Sequence, residues 1–339
     1  MFCKYLIGPI KGLNTLVLGI GLGLGLGLGF AMALGSAHAQ NTYPTKPIRF
    51  FVPFTAGSGT DIVARTVADV MSKSLGQPVL IENRPGAGGT IAASQVAKSD
   101  PDGYTILVHS SGHALNPSIY PNLPYDTVKD LSGVTPLAAL PNVLVVSPAR
   151  GWKGVGDLIA AAKASPGQLN YASAGMGSAT HLNAEKFKLQ AAIDAVHVPF
   201  KGTPEALSDV IGGRNDWFFA PLSSALPLIK DGKLQALAVS TAQRSATLPQ
   251  VPTTLEAGVA GSDYVFWVGM LVPSATPAPI VKRLHDEVIK ALAQADVKDK
   301  LNRLGAEPMP MTPEAFNAFI KSEMDSAAKI AKAAGLKGS

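Results

Sequence analysis

Short apolar runs alternate with longer segments whose apolar residues recur at helical spacing through most of the chain. Ile48–Phe54 reads as a first strand. The segment Asp61–Leu75 places Ile62, Val63, Val67, Val70, Met71 and Leu75 on one stripe, which predicts a helix. Pro78–Glu82 is a short strand, Asn83–Gly89 a glycine-rich loop, and Thr90 an N-cap for a helix over Ile91–Lys98. The turn Asp100-Pro101-Asp102-Gly103 leads into a strand at Tyr104–His109, followed by a polar loop over His109–Asn116. Further on, Trp152–Ala164 reads as helix. Gln168–Ala172, Val196–Pro199, Trp217–Ala220 and Leu234–Ser240 read as strands. Thr180–Leu189 reads as helix, and Thr203-Pro204-Glu205 opens another that ends at Gly212-Gly213. Thr276-Pro277 and Thr312-Pro313 open helices over Ala278–Gln294 and Glu314–Ala334. Strands alternating with helices predict an α/β fold with mainly parallel sheets. Val143–Ser147 and Val265–Pro273 are taken as crossings between two lobes. That divides the chain into residues 43–143 plus 266–339 for one lobe and 144–265 for the other.

Residues 1–39 read as an address. Lys4 and Lys11 precede an apolar stretch from Leu13 to Leu34, and Ala37-His38-Ala39 is a small-x-small site with cleavage expected after Ala39. The rival reading is a retained membrane anchor, since the stretch is long enough to span. Its Gly-Leu alternation, Gly21–Gly29, is no dinucleotide fingerprint: the spacing G-x-G-x-x-G never occurs. Removal leaves roughly 300 residues, enough for a large core without disulfides. The single cysteine, Cys3, leaves with the address, so no thiol chemistry is expected. The formal charge of +5 loses the two lysines and carries no basic run, which gives no footprint for nucleic acid.

One string occurs twice. Thr55-Ala56-Gly57-Ser58-Gly59-Thr60 returns as Ser173-Ala174-Gly175-Met176-Gly177-Ser178, each time after an apolar run and before a helical segment. A glycine-rich turn into a helix presents backbone N–H groups at the positive end of the helix dipole and suits an anion. Two such turns, one per half, suggest a single anion held between two lobes. Neither contains lysine or arginine, so N–H groups and the hydroxyls of Thr55, Ser58, Thr60, Ser173, Ser178 and Thr180 would do the binding. Asp61 and Asp209 read as early-turn or surface acids. Arg84 reads as a buried or rim arginine paired with Glu82 or a carbonyl, with anion binding as the alternative. His109 and His113 lack a third ligand for a metal. Ser178 and His181 are near in sequence, but the nucleophile elbow G-x-S-x-G is missing. Phe218 and Phe219 read as core, with stacking on a ligand as the alternative.

These residues belong to a longer set of matching strings: Tyr43-Pro-Thr-Lys-Pro-Ile48, Pro53 through Asp61, Asn83-Arg-Pro-Gly-Ala-Gly-Gly89, Pro101-Asp-Gly-Tyr104, Leu123-Pro-Tyr-Asp126, Asn170 through Gly175 with Gly177, Ser178 and His181, His197-Val-Pro-Phe-Lys-Gly202, Gly232-Lys-Leu234 with Ala236 through Val239, Leu248 through Thr253, Glu256-Ala-Gly258 and Thr312-Pro-Glu314. In them the chain resembles the periplasmic receptors of tripartite tricarboxylate transporters, the Bordetella uptake gene group. The resemblance implies a two-lobed Venus-flytrap receptor with two crossing hinge strands, a small organic carboxylate in the cleft, no cofactor, no metal and no catalysis. It implies contacts from Thr55, Gly57, Ser58, Gly59, Thr60 and Asp61 on one side and from Ser173, Ala174, Gly177, Ser178, Thr180 and His181 on the other. The loop around Ser110–His113, with Ser110 and Ser111, and the segment Phe218–Pro221, with Phe219 and Ala220, would meet the rest of the guest. It also implies a monomer working in the periplasm with a two-subunit membrane permease. Departures from the family pattern are Ala56 and Ser58 in the first loop, Phe200 where tyrosine is frequent, and the bulky run Asn215–Phe219. Rival readings are a sensor receptor serving a signalling kinase, a secreted hydrolase using Ser178 and His181, and a membrane-tethered scaffold.

Overall fold

The computed structural model describes residues 43–336, so the address and its cleavage site lie outside the described residues. From Lys46 onward the chain forms one unit built on two sheets. The first sheet begins with β1 (Ile48–Val52), β2 (Val79–Asn83), β3 (Thr105–Ser110) and β4 (Leu131–Leu140). The second holds β5 (Asn142–Val146), β6 (Asn170–Ser173), β7 (Val196–Pro199), β8 (Trp217–Pro221) and β9 (Gln235–Val239). The chain then returns to the first sheet with β10 (Phe266–Pro273) and the short β11 (Glu307–Pro308). The strand orders are β11-β4-β10-β3-β1-β2 and β7-β6-β8-β5-β9, giving a two-lobed α/β architecture.

Both sheets are mixed, which corrects the expectation of mainly parallel pairing. β1 pairs parallel with β2 and β3, and β6 with β7 and β8. β10 runs antiparallel to β3 and β4, and β5 antiparallel to β8 and β9. The physical reason is connectivity. Only Pro141 separates β4 from β5, so β5 arrives from the other sheet rather than by a helical crossover. Residues 240–265 carry the chain back, and β10 enters the same way.

Helices cover the sheets: α1 (Gly59–Leu75), α2 (Thr90–Ala97) and α3 (Gly112–Ile119) in the first lobe; α4 (Val155–Ala164), α5 (Ala179–Ala191), α6 (Thr203–Ile211) and α7 (Leu222–Lys230) in the second; α8 (Ala278–Ala293), α9 (Ala295–Arg303) and α10 (Pro313–Ala333) back in the first. Local chemistry sets their ends. Gly76 closes α1 in the left-handed region at φ 65°. Thr312 caps α10 by accepting from the Ala315 N–H. Thr90, expected as a cap, is the first residue of α2 and makes no side-chain cap bond; Gly89 precedes it at φ 100°. His109–Asn116 is not a loop beyond its first residues, since α3 starts at Gly112.

Three elements carry weak patterns. β4 contains Gly133 and Pro136, which interrupt its apolar run. Gly133 and Gly269 of β10 leave room for the Phe316 ring of α10; a Cβ at either would collide with it. α7 contains Pro227, and α9 buries only Val297 and Leu301.

β5 and β8 are buried at every position, and apolar at all but Asn142, because each face of the second sheet is covered. Val143, Val145, Phe218 and Ala220 pack on one side. Leu144, Val146, Trp217 and Phe219 pack on the other.

Candidate functional site

The two repeated strings form the turns that feed α1 and α5, and both helix N-termini line one small cavity. Ser58, Gly59, Thr60, Ala174, Ser178, Ala179 and Thr180 line it, together with Phe54, Ser110, Thr203, Pro221 and Phe266. Its volume is about 10 Å³, roughly the room one water needs. The lobes are therefore shut around it, and a larger guest enters only if they part.

Backbone donors converge on this space. The N–H groups of Gly59, Thr60 and Asp61 in α1, and of Ala179 and Thr180 in α5, have no acceptor among the described residues. Ser110 Oγ is buried and unpartnered. Such unmatched donors at two helix starts favour a negative charge. No lysine or arginine lines the cavity, so neutral donors would do the binding.

The remaining loop groups hold the turns in shape rather than facing outward. Asp61, expected as an early-turn or surface acid, is buried. Its carboxylate accepts the Gly57 N–H at 2.9 Å, the Asn83 amide at 2.9 Å and the Arg65 Nε–H at 3.0 Å. That brace is possible because Gly57 sits at φ 85°. In the second turn, Thr180 Oγ1 accepts the Ala174 N–H at 2.9 Å, Ser173 Oγ accepts the Gly175 N–H at 3.0 Å, and His181 Nδ1 accepts the Gly177 N–H at 3.3 Å. Ser178 Oγ caps α5 through the His181 N–H at 3.3 Å. Its hydroxyl lies 3.0 Å from Thr180 Oγ1, and no ring nitrogen of His181 meets it. The hydrogen bond that a serine nucleophile needs from a base is not formed.

Beneath the second turn, His197 Nε2 lies 2.6 Å from Ser173 Oγ. Burial, and then the charge of Lys188, pull His181 down to about 4. Burial, and then His181, lower His197 to about 3. Both rings are neutral supports for the loop at neutral pH.

Other expected contacts stand apart. Ser111 Oγ pairs with Tyr264 OH at 2.9 Å and lines a separate cavity with Lys186 and Glu323. Phe219 packs edge-on against Phe187 at 5.2 Å, while Ala220 faces the opposite core; of the expected segment Phe218–Pro221, Pro221 lines the cavity. Arg84 pairs with Glu82 at 2.8 Å. Hydrogen bonds from Arg49, foremost, and from Arg84 hold Glu82 at about 2. Asp209, expected at the surface, is buried with Arg214 and Asn215 as partners. His109 and His113 lie 5.4 Å apart, ring centre to ring centre. Burial holds both well below the ordinary histidine value. No metal-binding cluster occurs among the described residues.

The lobes meet through contacts the sequence did not single out. Tyr120 OH donates to Met176 O at 2.8 Å, and Ser224 Oγ to Gly57 O at 3.0 Å. Next to the small cavity, sharing Ala174 in its wall, a second cavity of about 530 Å³ is bordered by Tyr120, Met176, Phe200, Lys201 and Glu205. The third glycine loop supplied the available signal: a Cβ at Gly88 would strike the Met176 carbonyl.

A family model described as Tripartite tricarboxylate transporter family receptor matches residues 63–336. Protein BugT of Bordetella pertussis is 36% identical over 299 residues, covering 88% of this chain and 92% of its own. Among solved structures, R. palustris Rpa4515 with adipate has a TM-score of 0.85 at 36% identity, covering 88% of this chain and 100% of that one. MatC from Rhodopseudomonas palustris with bound malate has a TM-score of 0.81 at 33% identity, covering 85% and 99%. No helix among the described residues is long and apolar enough to cross a membrane.

Proposed function

Since the chain belongs to the tripartite tricarboxylate transporter receptor family, we propose that it captures a small organic carboxylate between residues 55–61 and 173–181 and passes it to a two-subunit membrane permease. The observation that carries this reading is the pair of helix starts, α1 and α5, whose unmatched N–H groups share one cavity. A carboxylate has two oxygens and room for about four hydrogen bonds, so it accepts donors from both sides at once. Each lobe alone offers half the set. Guest binding therefore favours the shut form by the difference in contacts between shut and open.

The guest's body would extend toward the neighbouring cavity, where Phe200, Met176 and Tyr120 provide an apolar wall and Lys201 a charge. Acids with a chain or ring beyond the carboxylate suit that wall. The solved relatives hold adipate and malate, which makes dicarboxylates the first class to try. Residues 43–143 plus 266–339 would form one lobe and 144–265 the other. The chain would work as a monomer in the periplasm after cleavage following Ala39, with no cofactor and no bond-breaking step.

A thermal-shift screen against mono-, di- and tricarboxylates, followed by calorimetry on the hits, tests the reading. The expected result is saturable stabilisation by at least one acid, and a bound structure with the carboxylate touching both loops. A guest seated away from residues 55–61 and 173–181, or touching one side alone, overturns it. Delivery is tested separately, by uptake in cells carrying and lacking the permease.

A further inference from the structure

Helix α6 begins without a cap of its own. Its N-cap is Gly202, which has no side chain to accept the first N–H groups. The missing oxygen comes from the other lobe: Ser58 Oγ accepts the Thr203 N–H at 3.1 Å. Ser58 stands at the N-cap of α1 yet makes no side-chain cap bond there. Glu205 occupies the third position of α6, where the acid of a capping box reaches back to the N-cap N–H. Here it accepts instead from Thr55 Oγ1 at 2.9 Å. Thr55 and Ser58 follow β1, whereas Gly202 and Glu205 follow β7, so both bonds exist only while the lobes are shut.

The glycine at 202 supports the same conclusion. Its φ of −174° and ψ of −177° are extended, so the backbone does not require glycine. Space requires it. A Cβ there would coincide with the Thr55 hydroxyl, lie 2.8 Å from Ser58 Oγ and 3.0 Å from Thr55 Cβ. Turning one side chain aside does not clear three such atoms.

We propose that Thr55 and Ser58 complete the capping box of α6 from the opposite lobe, forming a latch that holds the two lobes shut independently of any guest, with Gly202 as the opening that admits it. In this role the two hydroxyls act through closure, whatever the backbone of the same turn gives the carboxylate. An N-cap oxygen is typically a several-fold effect on the helix equilibrium, so losing Ser58 Oγ is expected to raise the open fraction about fivefold.

The test compares the exported wild-type chain with Ser58→Ala and Gly202→Ser, all without added acid, by small-angle X-ray scattering and thermal melts. Ser58→Ala is expected to scatter as a more open molecule and to exchange the Thr203 amide faster. Gly202→Ser is expected to open the molecule as well, but with a melting temperature at or above wild type, because the new serine caps α6 within its own lobe. That divergence separates a latch from a general packing defect. Scattering curves of both variants that superimpose on wild type overturn the proposal, as does a Gly202→Ser chain that opens only with a loss of thermal stability. No carboxylate enters these readouts, so their outcome is distinct from that of the ligand screen.

Discussion

The imidazoles of His181 and His197 stack nearly parallel, with ring centroids 4.0 Å apart. His197 stacks in turn on Tyr171 at 4.9 Å. The Tyr171 hydroxyl donates to Glu185, which also pairs with Lys188 at 2.9 Å. Lys188 Nζ lies 5.1 Å from the Tyr171 ring centroid. A proton on either imidazole would place a charge in a buried stack, against its neighbour and near a lysine. Ser173 and Gly177 of the second glycine turn rest on these two rings.

Stability is therefore expected to fall with acid. Unfolded imidazoles take a proton near their ordinary value of about 6.5, whereas folded His181 and His197 wait until about 4 and about 3. Between those limits the unfolded chain binds more protons, so stability rises with pH. Each such histidine contributes a slope of about 1.4 kcal/mol per pH unit inside its window. Urea midpoints should drop steeply from about pH 6.5 to about pH 4. His197→Phe keeps a stacking ring and removes one titrating group, so its profile should be shallower. Equal slopes for the two proteins would refute the assignment.

Closure is expected to fail when the third glycine loop gains a side chain. Gly88 lies at φ 60°, and a Cβ there would meet the Met176 carbonyl and come within 3.0 Å of the Gly177 carbonyl carbon. Gly177 likewise sits at φ 77°, with a Cβ position 2.9 Å from Tyr120 Cε2 and 3.1 Å from Asn116 Oδ1. Gly88→Ala and Gly177→Ala should keep a native circular dichroism spectrum while losing at least tenfold in affinity for whichever acid the screen identifies. Unchanged affinity in both would show that the lobes need not come this close.

The duplicated glycine turn and the helices behind it were legible in the chain because both glycine spacing and helical periodicity are local signals. Val196–Pro199 was also read to the residue. The signals failed where the cause is distant. β4 hides because Gly133 and Pro136 answer to the Phe316 ring and the bulged pairing with β10. Asp61 reads as an early-turn or surface acid; it lies in the first turn of α1, but nothing local reveals that Asn83 approaches it from β2 and that it is buried. Of the donors imagined at the turns, Gly57, Ala174, Gly175 and Gly177 N–H are spent within their own loops. Those left open belong to the first turn of each helix. Phe218 and Phe219 were ambiguous in the sequence, since an all-apolar strand has no polar face to orient it.

Asp61 is expected to matter for the shape of its loop. Asp61→Ala leaves the Gly57 N–H and one of the two Asn83 amide N–H groups without an acceptor, the other still donating to Phe54 O, in part-buried surroundings. Each stranded donor costs about 1–3 kcal/mol, so the melting temperature should fall by several degrees. Asp61→Asn retains one acceptor oxygen and should lose about half as much. Chemical denaturation of the two variants checks the order. A wild-type midpoint for Asp61→Ala would contradict the brace.

Ser110 is expected to separate binding from stability by the sign of its effects. Its hydroxyl is buried, has no partner and lines the cavity between the helix starts. A buried unpaired hydroxyl is a cost to the folded chain, so Ser110→Ala should leave the melting temperature unchanged or raise it slightly. The same hydroxyl would donate to a bound carboxylate, and a hydrogen bond to a charged group is worth about 1.5–3 kcal/mol. Affinity should therefore fall by about tenfold or more, the factor that about 1.4 kcal/mol sets. Calorimetry and a thermal melt on one preparation give both numbers. A variant that loses stability and keeps its affinity would place Ser110 in the scaffold instead of the site.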